Sequence, residues 1–428
     1  MDFDYPESTV AVRTRVRAFL DDSLPNRWTG IGGLEGEAYT DFVEDSRVQL
    51  HKAGLLGAAW PIEYGGSGLT PTDQLVIAEE LTKAGTPVGG PNDIFGISML
   101  GNTLLQYGTE AQKTHFLPRI LSGEYRFCQG YSEPNAGSDL ARVATRAMRD
   151  GDEWIIDDQN IWTSAAQTAN WIFVLCRTDT DAQTRKGITF ILCPIDQPGV
   201  DVRPIEMLAG PSEFNEVFFD AATASVDHVV GQVNDGWRVA MALLGFELGE
   251  AAGLLPIGFR NEFDRLAALA AYPRCRTRPN GPRPSRMNVC RGGGHALPRV
   301  RGITRFMSGE SPVADAAITK VFWSEYHRRT TDLAVDISSE SAGWSRADAP
   351  RVQRSESMIR ERPTPPPHGS GRSSPPWPGR STLERARSSE TSSGRCCWAF
   401  PRSRVSIRRM LNRWGCLNRA TLRVARTC

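Results

Sequence analysis

The hydrophobic period of this chain changes twice, and those changes limit its architecture more than any other feature. Up to about residue 125, apolar side chains recur at helical spacing. From about residue 126, short β-rich runs alternate with turn clusters, and at Trp237 the helical period returns. Helix, strand and helix segregated along the chain imply an α+β fold. The expected order is an N-terminal helical domain over 1–125, a middle antiparallel β domain over 126–236 and a C-terminal helical bundle over 237–337. The bundle is incomplete, because 272–302 breaks its period, and a basic tail over 338–428 reads as disordered.

Within the first part, residues 8–20 predict a helix with Ser8 as N-cap and Val12, Val16, Phe19 and Leu20 on one face. Residues 37–54 repeat the pattern with Phe42, Val43, Val48 and Leu50, stopping at Gly54. The run from Trp60 to Gly68 is too rich in turn residues for a regular element. Residues 72–84 form another helix, capped by Thr72 or a neighbour and ended by Gly85. Its paired acids, Glu79 and Glu80, read as a solvated face. Residues 96–107 and 110–121 continue the helical pattern, with Thr109 as the second cap. In the β part, strands are expected at Glu153–Ile156, Trp171–Cys176, Ile188–Leu192 and Val217–Phe219, the last ending at Asp220.

Two places carry chemistry. The loop Ser132-Glu133-Pro134-Asn135-Ala136-Gly137-Ser138-Asp139 can turn backbone N–H groups toward an anion, and Trp162-Thr163-Ser164 suits a flat ring with hydrogen-bonding edges. Ordinary turn chemistry and a core Trp are the competing explanation. Residues 237–255 are apolar on most sides, yet Glu247 interrupts them. A carboxylate there is costly unless paired, solvated or functional.

In order and spacing, these motifs resemble the acyl-CoA dehydrogenase family. The resemblance adds Pro61-Ile62-Glu63-Tyr64-Gly65-Gly66-Ser67-Gly68, Tyr107-Gly108-Thr109-Glu110-Ala111-Gln112-Lys113, Pro211–Asp220 and Gly231–Trp237, and spans 1–271 and 303–337. It implies FAD bound between the β domain and the C-terminal bundle, and α,β-dehydrogenation of an acyl-CoA thioester, as in fatty acid β-oxidation. Tyr131, Ser132, Gly137 and Ser138 would face the FAD and CoA phosphates, and Trp162, Thr163 and Ser164 would flank the flavin. Asn160 stands where the family usually has Lys, next to those contacts. One branch of the family keeps its catalytic base in a Phe-Glu-Arg-type segment. Here that segment is Gly245-Phe246-Glu247-Leu248, so Glu247 would take the α-proton while the β-hydride passes to flavin N5, and Leu248 replaces the usual Arg. The resemblance further implies a homo- or hetero-tetramer and electron-transfer flavoprotein as electron acceptor.

Net charge is +1, so the whole chain has no bias toward nucleic acid or acidic membranes. No run of about 18 apolar residues suggests a membrane span. The nine Cys have no metal-ligand spacing, so no metal is expected, and the acidic start lacks a signal-like apolar run, pointing to the cytoplasm. Beyond 341 the chain is rich in Arg and has no Lys, which leaves a nucleic-acid-binding tail as a rival function. A non-catalytic subunit of the same family is the other rival.

The genetic code offers a different account of the aberrant segments. With permitted synonymous codons, Arg380–Pro401 re-reads two bases along as IYSGASEIQRNILGEMLLGLP, which closely resembles the family's C-terminal flavin-contacting motif. Gly292 onward re-reads one base along as VEAMRYLGYA. Segments 272–302 and about 338–428 are therefore expected to be frameshift products, and resequencing the gene tests this. The re-read motif has Ser after its Tyr, where medium-chain-type members keep a Glu, which strengthens Glu247 as the base. As it stands, the chain lacks that motif.

Overall fold

The computed structural model describes residues 5–182, 184–208, 212–270 and 313–341. All of them lie in the first of two units into which the chain divides, Met1–Arg351. The expectations for 272–302 and for the tail beyond Ser341 fall outside the described residues.

The chain opens with α1 (Glu7–Ser23), α2 (Gly36–Lys52) and α3 (Pro71–Ala84). Helix α1 starts one residue earlier than expected, because Pro6 takes the N-cap position and Ser8 lies inside the helix. Pro6 fixes an extended entry and accepts the first helical N–H bonds through its carbonyl, so no side-chain cap is needed. Helix α3 is capped by Thr70, not Thr72: its hydroxyl accepts from Asp73 N–H while the Asp73 carboxylate accepts from Thr70 N–H. Pro71 fills the first helical position, and Gly85, at φ 70°, closes the far end.

Glu79 and Glu80 are not a solvated face. They are 2% and 5% exposed and lie under α1, where Arg13 pairs with both and Arg17 reaches Glu80 at 2.7 Å. Cationic stems of α1 make burial of the acids tolerable, and that pairing across 63 residues has no local sequence signal. Val48 is the reverse case, 46% exposed although its spacing matches the apolar face of α2.

A π-helical stretch, Ile94–Gly101, runs straight on into α4 (Asn102–Tyr107), and α5 (Glu110–Ser122) follows. Thr109 caps α5 as expected, and Gln112 completes a capping box with it. The Gln112 amide also donates to the carbonyls of Asp227 and Val229 at 2.7 and 2.8 Å, fastening α5 to the end of the sheet.

Seven strands follow: β1 (Phe127–Gly130), β2 (Arg146–Asp150), β3 (Glu153–Ser164), β4 (Trp171–Arg177), β5 (Ile188–Pro194), β6 (Val200–Pro204) and β7 (Phe214–Ser225). The sheet order is β1-β4-β2-β3-β7-β6, with β5 also paired to β4. Pairing is antiparallel except where β1, and Arg146 of β2, run parallel to β4. β7 extends beyond Asp220 to Ser225 because a bulge at Ala221, φ 53°, lets pairing with β3 resume. β4 and β5 are buried on both faces, which accounts for their unbroken apolar runs. Ile172, Val174, Ile191 and Val217 share one core. Phe173, Phe190 and Leu192 enter another that also holds Val16, Leu50 and Leu117 of the helices and Leu243 of α6 (Gly236–Ala270).

The last described helix, α7 (Val313–Ser341), packs on α6 through Tyr326 against Phe259, with ring centres 5.4 Å apart. It runs four residues past the expected end of the bundle. Among the described residues, no helix is long and apolar enough to cross a membrane.

The turn before α3 is sterically exact. A Cβ on Gly66 would collide with the backbone carbonyl of Trp60, whose oxygen already accepts from Gly68 N–H. Gly66→Ala is expected to lower stability by about 1–3 kcal/mol, the usual range for overpacking, as read by urea denaturation.

Candidate active site

Two segments distant in sequence meet at a cleft of about 230 Å³, lined by Gln129, Tyr131, Ser132, Gly137, Leu140, Ile161, Trp162 and Leu244. The first wall is the loop after β1. It would be a loose run of small residues were it not for Glu133, which is 7% exposed. The Glu133 carboxylate accepts from Ala144 N–H, Thr145 N–H and the Thr145 hydroxyl at 2.7–2.9 Å. Glu133 thus folds the loop back onto the start of β2, and Ser132 and Gly137 are left facing the cleft. A Cβ built on Gly137 meets nothing within 4 Å, so its bare backbone is open to close approach by a ligand.

The second wall is a bulge in β3. Between the pairs Asn160–Val217 and Thr163–Asn215, β3 carries one residue more than β7. Trp162 takes up the excess at φ 62°, a left-handed conformation that is costly for a bulky residue. The result is an indole 58% exposed, edge-on to Phe214 with ring centres 5.9 Å apart. Ile161 N–H donates to the Ser132 carbonyl at 2.8 Å, tying the two walls together.

Of the residues singled out from the sequence, Tyr131, Ser132, Gly137 and Trp162 come together here. Ser138 is exposed and does not line the cleft. Thr163 is 1% exposed with its hydroxyl unpartnered, and Ser164 is half-buried opposite Phe214; neither lines it. Gln129, Leu140, Ile161 and Leu244 were not anticipated. The alternation of β1 does put Gln129 and Tyr131 on one side, which is a usable signal for Gln129.

Leu244 brings α6 to the cleft, and Glu247 follows it by three residues, on the same helical face. Glu247 is half-buried. Burial pushes its carboxyl pKa above the ordinary glutamate value, and Lys320 of α7 opposes that shift. The Tyr131 phenol, 6% exposed with no hydrogen-bond partner, is pushed far up, first by burial and then by the charge of Glu247. Lys320 is therefore a cation acting on Glu247 in a segment whose local sequence has Leu248 in place of Arg. The Leu248 side chain lies outside the described residues. No group of three or more His, Cys, Asp or Glu among the described residues could hold a metal ion.

The N-terminal domain model of acyl-CoA dehydrogenases matches residues 6–124, and the middle-domain model matches 128–222. The chain is 39% identical over 339 residues to the acyl-CoA dehydrogenase IpdE1 of Mycobacterium tuberculosis, covering 76% of this chain and 84% of that one. Its identity to the mitochondrial isovaleryl-CoA dehydrogenase of Pongo abelii is 31% over 208 residues, covering 48% and 49%. Among solved structures, the Tcur3481-Tcur3483 steroid ACAD is similar with a TM-score of 0.63 and 32% identity, over 80% of this chain and 86% of that one. The ChsE4-ChsE5 complex from Mycobacterium tuberculosis gives a TM-score of 0.64 at 28% identity, over 79% and 86%.

Proposed function

The chain belongs to the acyl-CoA dehydrogenase family, and from that premise we propose that it catalyses FAD-dependent α,β-dehydrogenation of an acyl-CoA thioester to the trans-2-enoyl-CoA, with Glu247 as the base. The observation that carries this reading is the carboxylate of Glu247, desolvated on the helix face that closes the Trp162 cleft.

The residues of the cleft suit a flavin. An exposed indole, a glycine backbone with open space before it and nearby backbone N–H groups match a flat ring with polar edges and an anionic tail. Trp162 would flank the ring, with Thr163 and Ser164 following it in the strand away from the cleft, while Tyr131, Ser132 and Gly137 would line the other side and the exposed Ser138 would lie at its edge. FAD bound there supplies the hydride acceptor. Glu247 supplies the proton acceptor: its burial disfavours the ionised form, which makes the carboxylate a stronger base than one in water. The charge of Lys320 opposes that shift and favours the ionised form.

The reduced flavin has to pass its electrons on, and electron-transfer flavoprotein is the proposed acceptor. The solved relatives that are two-protein complexes support a multimeric assembly, which we propose is a homo- or hetero-tetramer, and a cytoplasmic setting fits the buried, unpaired thiols of Cys128, Cys176 and Cys193. The nucleic-acid-binding and non-catalytic readings have no observation in their favour among the described residues.

The test is anaerobic addition of short, branched and ring-bearing acyl-CoA esters to the purified, FAD-loaded chain. Bleaching of the flavin absorbance by at least one ester is expected. A protein that binds no FAD, or binds it and is bleached by none of them, would overturn the reading.

A further inference from the structure

Asn160 makes no contact with the cleft, yet both cleft walls are referenced to it. It is fully buried and sits immediately before the bulge that displays Trp162. Its Nδ2 donates to the Ser132 carbonyl at 3.4 Å, and the next residue, Ile161, donates to the same oxygen through its N–H at 2.8 Å. One carbonyl of the loop is thus gripped by two consecutive residues of the strand. On its other side, the Asn160 Oδ1 has no hydrogen-bond partner, and a Cβ on Gly130 would lie only 2.5 Å from it. Gly130 therefore leaves the room that the amide occupies. A buried amide oxygen without a partner is unfavourable, and an apolar side chain of similar size would avoid that cost. Packing alone does not account for an amide here, whereas the Nδ2 bond to Ser132 does.

We propose that Asn160 is a positioning residue for the cofactor cleft, fixing the Ser132 carbonyl and hence the distance between the Ser132–Gly137 loop and the Trp162 bulge. It acts through those two walls and does not touch the ligand. The inference rests on the cleft being the FAD site.

Asn160→Leu in the full-length chain is the variant to make, since it keeps the branching and heavy-atom count of the side chain and removes both the donor and the unpartnered acceptor. Its FAD dissociation constant, measured by fluorescence quenching, is expected to rise about tenfold, as one lost hydrogen bond on a preorganised wall would produce. Tryptophan emission of the FAD-free protein is expected to shift, with Asn160→Leu,Trp162→Phe against Trp162→Phe alone showing that the shift comes from Trp162. Asn160→Ala is expected to weaken FAD as much. Unchanged FAD affinity in Asn160→Leu overturns the proposal, and so does loss of the folded state in both variants, which would mark the residue as structural only. Failure of the wild type to bind FAD would instead sink the reading of the cleft.

Discussion

Glu247→Gln is expected to slow reduction of the FAD-loaded protein by its acyl-CoA about 10³-fold, within the span that general-base catalysis contributes. Stopped-flow measurement of flavin bleaching would read this, with FAD affinity unchanged because Glu247 does not hold the cofactor walls. A variant that retains full reduction rate would remove Glu247 from the mechanism. The same substitution has a second expected effect, of opposite sign. Burial raises the pKa of Glu247 in the folded chain, so folding favours its neutral form. Stability from this group is complete below the ordinary glutamate range and is lost as pH rises through the raised value. Gln stays neutral throughout, so the variant is expected to melt above the wild type at pH 7–8 and level with it in acid. Slower chemistry with higher stability cannot be produced by misfolding. The rate of the wild type should fall on the acid side at a pH above the ordinary glutamate range, as the base becomes protonated.

Glu133→Ala carries the largest expected loss of stability, about 2–5 kcal/mol, from two buried N–H groups left without an acceptor at about 1–3 kcal/mol each. The carboxylate satisfies two backbone N–H groups and a hydroxyl, and its removal leaves the N–H groups of Ala144 and Thr145 without that acceptor in a site with little access to water. Thermal and urea unfolding would read the loss. FAD affinity should fall as well, because the loop carrying Ser132 and Gly137 loses its anchor to β2. Glu133→Gln, which keeps one acceptor oxygen, should recover part of both.

Local chemistry made much of this fold legible. Thr109 and Gln112 announce a capping box, Gly85 a helix end, and the apolar runs at Trp171 and Ile188 a pair of buried strands. What stayed hidden depends on partners far along the chain. Glu79 and Glu80 resemble a solvated face until Arg13 and Arg17 are laid over them, and β6 is a short edge strand whose polar alternation has no signature of its own. The cleft follows the same rule. Its residue types could be named from the loop and the Trp, but the exposure of Trp162 is set by a register against Phe214 and Asn215, some 50 residues on. Glu133 shows the limit most clearly. It sits in the middle of the recognisable motif, and its work is to hold the loop shut from behind.

The two bulges in the β3–β7 ladder have opposite effects. At Ala221 the surplus residue belongs to β7; at Trp162 it belongs to β3. The second therefore cancels the first, and the strands leave the cleft in the same relative frame in which they entered it. Between the two, from Asp158 to Asn160, the pairing runs one step out of phase. Deleting either surplus residue alone would carry that phase error to the end of the ladder, turning Thr163 and Ser164 to the wrong faces. Deleting both would restore the phase but flatten the ribbon where Trp162 stands out. The two positions are thus bound as a pair, as an insertion and a deletion are in a coded message, and a lineage that changes one is under pressure to change the other.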